Sequence, residues 1–178
     1  MYKFLLRRKI KRILNRSRRE KAYLNLREIK SILVLFDTEN FDGASHFIQQ
    51  MKNMKKKIRA IAFKNKNDTC TYSNISYTFV TEKDMKDLKN DSLVQIVNSL
   101  NDEKFDLIVD LSLKENLLLL YILVSANSPL KVGFYKHALS VHDMVISFAP
   151  GLVQNVKELG SYLIHYLTII SSDTKSVL

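Results

Sequence analysis

The sequence predicts an α/β domain, three layers deep and Rossmann-like, with a mostly parallel sheet preceded by a basic N-terminal helix. Three observations carry this. Short runs rich in Val, Ile and Leu recur through residues 31–178, reading as continuous apolar segments rather than alternating ones, as strands covered on both faces do. Segments with apolar residues at three- and four-residue spacing separate those runs, giving βαβ units. Finally, residues 1–30 hold twelve Lys or Arg against two acids. They therefore carry the whole formal charge of +10, while the other 148 residues balance sixteen bases against sixteen acids.

Element by element, the first 28 residues contain no Gly or Pro and place Leu6, Ile10, Ile13 and Leu14 on one side at helical spacing, which predicts one long basic helix. Ser31–Phe36 (SILVLF) reads as a buried strand. A helix follows from about Phe41 to Met54, with Phe47, Ile48, Met51 and Met54 as its apolar stripe. Ile58–Phe63 is a second strand, and the β-branched and aromatic stretches Thr69–Tyr72 and Tyr77–Val80 suggest a strand or an edge hairpin. Leu93, Ile96, Val97 and Leu100 predict a helix over Ser92–Leu100. Then come a strand at Phe105–Leu111, a helix over Glu115–Ala126 ended by Pro129, a strand at Leu130–Tyr135, a short strand at Met144–Phe148 and a closing helix over Gly151–Ile170. Four glycines, two prolines and the absence of a repeat or linker predict one domain over 31–178 with residues 1–30 as its arm.

Composition removes several classes of function. The longest apolar run, Leu117–Val124, is far short of the ~20 residues that span a bilayer. Five bases between Arg7 and Arg12 interrupt the only stretch resembling a secretory leader, so a cytoplasmic protein is expected. The single cysteine, Cys70, has no second Cys for a disulfide or a thiolate metal pair. With glycines only at 43, 133, 151 and 160, neither GxGxxG nor GxxxxGK[ST] can be written, which excludes the standard dinucleotide and P-loop sites, and no cofactor is expected. No HExxH or GxSxG occurs either. His137 and His142, five apart around a loop, lack a third ligand of clear identity.

In an open parallel sheet, ligands bind beyond the carboxyl ends of the strands near the point where strand order reverses. That rule selects Asp37 and Asn40 after the first strand, Lys64 after the second, Asp110 after the strand at 105–111, and Lys136 after the strand at 130–135. Converged, Asp37, Asn40 and Asp110 would form an acidic catalytic set holding a divalent cation, with Lys64 or Lys136 facing a phosphate. Asp and Asn just past a strand are equally the ordinary helix caps and turn formers.

Three stretches resemble known families. The strand "ILVLFD", the run "KFDLIVDLSLKENLLLLYILVSANSPLKVGFY" and the terminal "SYLIHYLTII", following a basic helix, resemble a family of short uncharacterised bacterial α/β proteins of about this length, which implies a fold and no reaction. The order FDLIVDLS, helix, LKVGF is similar to the acceptor-side half of heptosyltransferase-type glycosyltransferases, which implies a shared half-fold without the donor domain. "LVLFDTENFDG" is similar to the first strand of NYN/PIN-type ribonucleases. On that resemblance Asp37 and Asn40 would help bind metal, but Asp110 alone answers the family's later acidic stretch.

Together these readings predict a non-catalytic α/β module whose arm binds a polyanion, RNA or a ribosomal surface, through Arg7, Arg8, Lys11, Arg12, Arg16, Arg18 and Arg19. Two alternatives stay open. One is a metal-dependent nuclease or phosphotransferase using the strand-end acids. The other is a peripheral protein that buries Phe4, Leu5, Leu6, Ile10 and Ile13 in an anionic membrane. If the arm is an appendage, removing it leaves a folded, neutral body.

Overall fold

The structure, a computed structural model, describes residues 2–69, 77–86, 91–135, 139–149 and 155–170. The expected strand at Thr69–Tyr72, Cys70, Lys136 and His137 fall wholly or largely outside these residues, as does the start of the closing helix.

Six parallel strands form one sheet in the order β3-β2-β1-β4-β5-β6, with β1 at Ser31–Asp37, β2 at Lys57–Lys64, β3 at Thr78–Thr81, β4 at Leu107–Asp110, β5 at Leu130–Gly133 and β6 at Met144–Val145. The chain runs outward from β1 through β2 to one edge, then returns to β4 on the other side of β1 and proceeds to the opposite edge. Strand order therefore reverses between β1 and β4, whose register pairs Leu35 with Asp110. β1 is buried from Ile32 to Asp37 and β4 throughout, because helices cover both faces.

On one face, α2 (Phe41–Asn53) and α6 (Val156–Ile169) pack together. Ala44, Phe47, Ile48 and Met51 of α2 meet Val156, Leu159, Leu163 and Leu167 of α6 over the even-numbered side chains of β1. The two helices approach closely at Gly43, where a Cβ would come within 2.9 Å of the Val156 Cβ. The short α3 (Glu82–Lys86) follows β3, and Asp84 caps its start by accepting from the Thr81 N–H and hydroxyl.

On the other face lie α4 (Asp91–Asn101) and α5 (Leu117–Ser125), the latter buried all the way from Leu117 to Val124. A helix apolar all round must be covered on every side. The sheet covers the inner side of α5, and α1 (Tyr2–Arg16) covers an outer side, with Leu6 and Ile10 fully buried in the same cluster. Lys131 on β5 reaches the C-terminal end of α5 and donates to the carbonyls of Leu123 and Ala126 at 2.6 and 2.8 Å, satisfying acceptors that have no partner within the helix. Burial, reinforced by the neighbouring Arg19 charge and partly offset by Asp143, brings its pKa down to about 7.

One expectation is corrected. The basic helix ends at Arg16 rather than continuing to 28. Beyond it the chain becomes a strap along the N-terminal edge of the sheet: Ala22 N–H donates to the Pro129 carbonyl and Leu26 N–H to the Leu167 carbonyl. Arg19 anchors that strap. Its guanidinium makes a two-pronged pair with Asp143, at 2.7 and 2.8 Å, and donates to the carbonyls of Ser128 and Pro129. Helical periodicity in this stretch is overridden by contacts made with residues more than a hundred positions away. Leu26 is buried and Leu24 packs on the core, whereas Tyr23 is 48% exposed.

Candidate functional site

The reversal of strand order brings Asp37 and Asp110 to one place. Asp37 closes β1, is 4% exposed and accepts a 2.6 Å hydrogen bond at Oδ1 from Asn116 Nδ2. Its Oδ2 is buried with no hydrogen-bond partner. Burial pushes the Asp37 carboxyl above its ordinary pKa and the charge of Asp110 pushes it further, while Asn116, the nearby Ser112 hydroxyl and Lys114 pull the other way. Asp110 closes β4 and accepts from the Ser112 N–H at Oδ1, folding the chain after the strand into a tight turn. Its Oδ2 lies 3.5 Å from His142 Nε2, and the buried imidazole rests on Gly133, where a Cβ would overlap the ring. Gly133 is thus the position that lets His142 reach the strand ends.

Asn116 has two roles. Its side-chain Oδ1 accepts from the N–H groups of Leu118 and Leu119 as the N-cap of α5, and its Nδ2 holds Asp37. The loop before it supplies Lys114, which pairs with Glu39 at 2.6 Å. Each partner favours the charged form of the other, so Glu39 lies below and Lys114 above its ordinary pKa. Arg7 of α1 pairs with Glu115 at 2.7 Å. Between these groups is a cavity of about 240 Å³ lined by Lys3 and Arg7 from α1, Asp37, Glu39, Phe63 and Asn65 from the ends of β1 and β2, and Lys114 and Asn116. Lys3, Arg7, Lys114 and Asn116 carry no strand-end signal in the sequence; only the direction in which α1 docks brings the first two here.

The remaining expected residues are placed differently. Asn40 ends a short 3₁₀ turn, Thr38–Asn40, and is the N-cap residue of α2 without a side-chain cap bond; no hydrogen bond joins it to Asp37 or Asp110. Lys64 ends β2 and does not line the cavity, although its neighbours Phe63 and Asn65 do. Among the described residues no group of three His, Cys, Asp or Glu side chains is arranged to hold a metal ion.

The basic residues divide as well. Arg19 is 11% exposed and committed to Asp143, and Arg7 pairs with Glu115. Burial alone would raise the Asp143 pKa, but bonds from Arg19, the Lys131 N–H and Lys21 outweigh it and hold the carboxyl below its ordinary value. Arg8, Lys11, Arg12, Arg16 and Arg18 are exposed and form no ion pair among the described residues. Beside them a second cavity of about 420 Å³ separates α1 from α5, with Phe4, Leu117, Leu120 and Leu139 as apolar walls and Arg7, Arg8 and Lys11 on its rim. No helix is long and apolar enough to cross a membrane among the described residues.

Comparison with known proteins adds the fold relation and the family. The crystal structure of an exopolyphosphatase-related protein from Bacteroides fragilis is similar to this chain with a TM-score of 0.52 at 11% identity, over 80% of this chain and 41% of that one. This chain thus spans about two fifths of that structure's length, and the likeness shows a shared α/β fold. The expected half-fold relation to heptosyltransferases is replaced by this neighbour. No curated protein matches the sequence. Residues 3–170 match a family of unknown function, DUF6913, across nearly the whole chain, and the protein belongs to that family.

Proposed function

We propose that the protein is an RNA-binding α/β module that takes single-stranded RNA along the exposed side of the docked helix α1. The observation that carries this is the cleft between α1 and α5. An apolar slot walled by Phe4, Leu117, Leu120 and Leu139 under a rim of Arg7, Arg8 and Lys11 matches the two needs of a single strand, a place to stack a base and cations for its phosphates. Phe4 is 69% exposed, so an aromatic face is available without rearrangement. Arg12 and Arg16 extend the cationic surface along the helix, and Arg18 just past its end continues it. A base in the slot and a backbone along the rim give affinity that is salt-dependent and nearly independent of sequence.

The membrane alternative needs Leu6 and Ile10 at the lipid interface, and both are buried against α5. The two readings separate experimentally. Fluorescence anisotropy with a labelled single-stranded RNA 20-mer is expected to give saturable binding. The variant R8A/K11A/R12A/R16A is expected to lose it while keeping its thermal midpoint, and Phe4→Ala alone to weaken it about five- to tenfold, the worth of one stacked base. Flotation with vesicles of anionic phosphatidylglycerol as the main membrane partner, and no saturable RNA binding, would overturn the proposal.

A further inference from the structure

We propose that the cavity at the carboxyl ends of β1 and β2 is a second site, sharing Arg7 with the rim of the RNA cleft, which binds a small phosphorylated sugar: a phosphomonoester carrying neighbouring hydroxyl groups. Its position is the one at which doubly wound sheets bind ligands, beside the reversal of strand order between β1 and β4. Its chemistry is layered. Asp37 lies at the buried end, and a carboxylate can accept about four hydrogen bonds. Here Oδ1 accepts one from Asn116 and Oδ2 accepts none by geometry, with the Ser112 hydroxyl as the other donor nearby, so acceptor capacity is left over and suits a ligand that brings donors, as sugar hydroxyls do. At the mouth stand three cations, Lys3, Arg7 and Lys114, among the carboxylates of Glu39, Glu115 and Glu82, the last paired with Lys66 outside the cavity.

Lys3 has no acidic partner among the described residues, and the other two cations are held only by exposed ion pairs to Glu115 and Glu39. Such pairs contribute roughly 0–1 kcal/mol, so exchanging a side-chain carboxylate for a ligand phosphate costs little. The chain has no glycine-rich loop to wrap a phosphate in backbone N–H groups, which leaves side-chain cations to do so. A volume of about 240 Å³ admits one phosphorylated pentose rather than a dinucleotide.

The site is tested by calorimetric titration of the full chain with ribose 5-phosphate, ribose and inorganic phosphate. Ribose 5-phosphate is expected to saturate and to bind at least about tenfold more tightly than either fragment, because only it engages both layers. Lys114→Ala is expected to weaken ribose 5-phosphate about tenfold with an unchanged thermal midpoint. Asp37→Asn should weaken ribose 5-phosphate but leave inorganic phosphate unaffected, and Arg12→Ala should change neither. Absence of saturation by ribose 5-phosphate, equal affinity for inorganic phosphate, or equal losses in Lys114→Ala and Arg12→Ala would overturn the proposal. R8A/K11A/R12A/R16A, which removes the RNA surface, leaves every lining residue of this cavity in place, so failure of one reading is distinguishable from failure of the other.

Discussion

Asp37 sits in an environment that opposes its own ionisation, and that opposition has a measurable sign. Its folded-state pKa lies above the ordinary value because burial and the Asp110 charge disfavour the carboxylate. The folded protein therefore binds the proton more tightly than the unfolded chain, so this residue's contribution is most favourable below the unfolded pKa and declines as pH rises through the folded one. Asp37→Asn keeps an oxygen for Asn116 to donate to and removes the charge. The substitution is expected to raise the unfolding midpoint at pH 7 by roughly 2–4 °C, the shift that about 1 kcal/mol produces in a domain of this size, with the gain shrinking towards acid pH. Melting curves from pH 3 to 8 check this, and a gain that grows towards acid would contradict it. A group that costs stability at the strand-order reversal is a reason to look for a ligand there.

The arginines show the opposite case. Arg19→Ala would leave Asp143 buried with only Lys21 and the Lys131 N–H to balance it, and would free the carbonyls of Ser128 and Pro129. Losing one partner of a buried pair is expected to cost about 3 kcal/mol. Arg12→Ala, on the exposed side of α1, is expected to stay within about 0.5 kcal/mol. Chemical denaturation of the two variants separates the arginine that builds the fold from those available to a ligand. The reverse ranking would show the strap to be an adornment.

Among the elements, α1 is the one whose meaning changes most between sequence and structure. Its helical character was readable from Leu6, Ile10, Ile13 and Leu14, and so was its charge. Its end was not, because residues 17–29 follow partners on β5, β6 and α6 rather than their own periodicity. The strands β1, β2, β4 and β5 were legible because buried parallel strands read as apolar runs, whereas β3, only partly buried, was marked by β-branched and aromatic residues that fit a strand or an edge hairpin. The convergence of Asp37 and Asp110 was conditional on strand order, which no local pattern contains. Asn116 had a local signal, an Asn before the apolar run Leu117–Val124, which marks a cap but not the bond to Asp37. Lys3 and Arg7 had none, since their place in the strand-end cavity depends on how α1 lies across α5.

The same packing changes what removing the arm does. Residues 1–30 read as an appendage whose loss leaves a folded body, yet Leu6 and Ile10 are fully buried in the cluster that contains α5. Leu6→Ala is expected to destabilise the protein by about 2–5 kcal/mol, the usual range for opening a core cavity. Deleting residues 2–16 is expected to expose the apolar outer side of α5 and to produce aggregation on size-exclusion chromatography. A monodisperse deletion variant with an unchanged midpoint would contradict the docked assignment.

At the scale of the whole molecule, the formal charge of +10 belongs to residues 1–30, but docking divides it: Lys3, Arg7, Arg8, Lys9, Lys11, Arg12 and Arg16 lie on α1, whereas Arg19 and Lys21 on the strap pair with Asp143. The proposed RNA binding requires the exposed bases of α1 to attract a polyanion and hold it along the helix. RNA affinity against salt concentration tests this most directly, comparing the natural chain with R8A/K11A/R12A/R16A. Losing four phosphate contacts to a single strand is expected to reduce the slope of log affinity against log salt by about 3, at about 0.7 per contact, with the melting temperature unchanged. The same slope and affinity in both proteins would contradict the assignment of α1 as the RNA-binding surface.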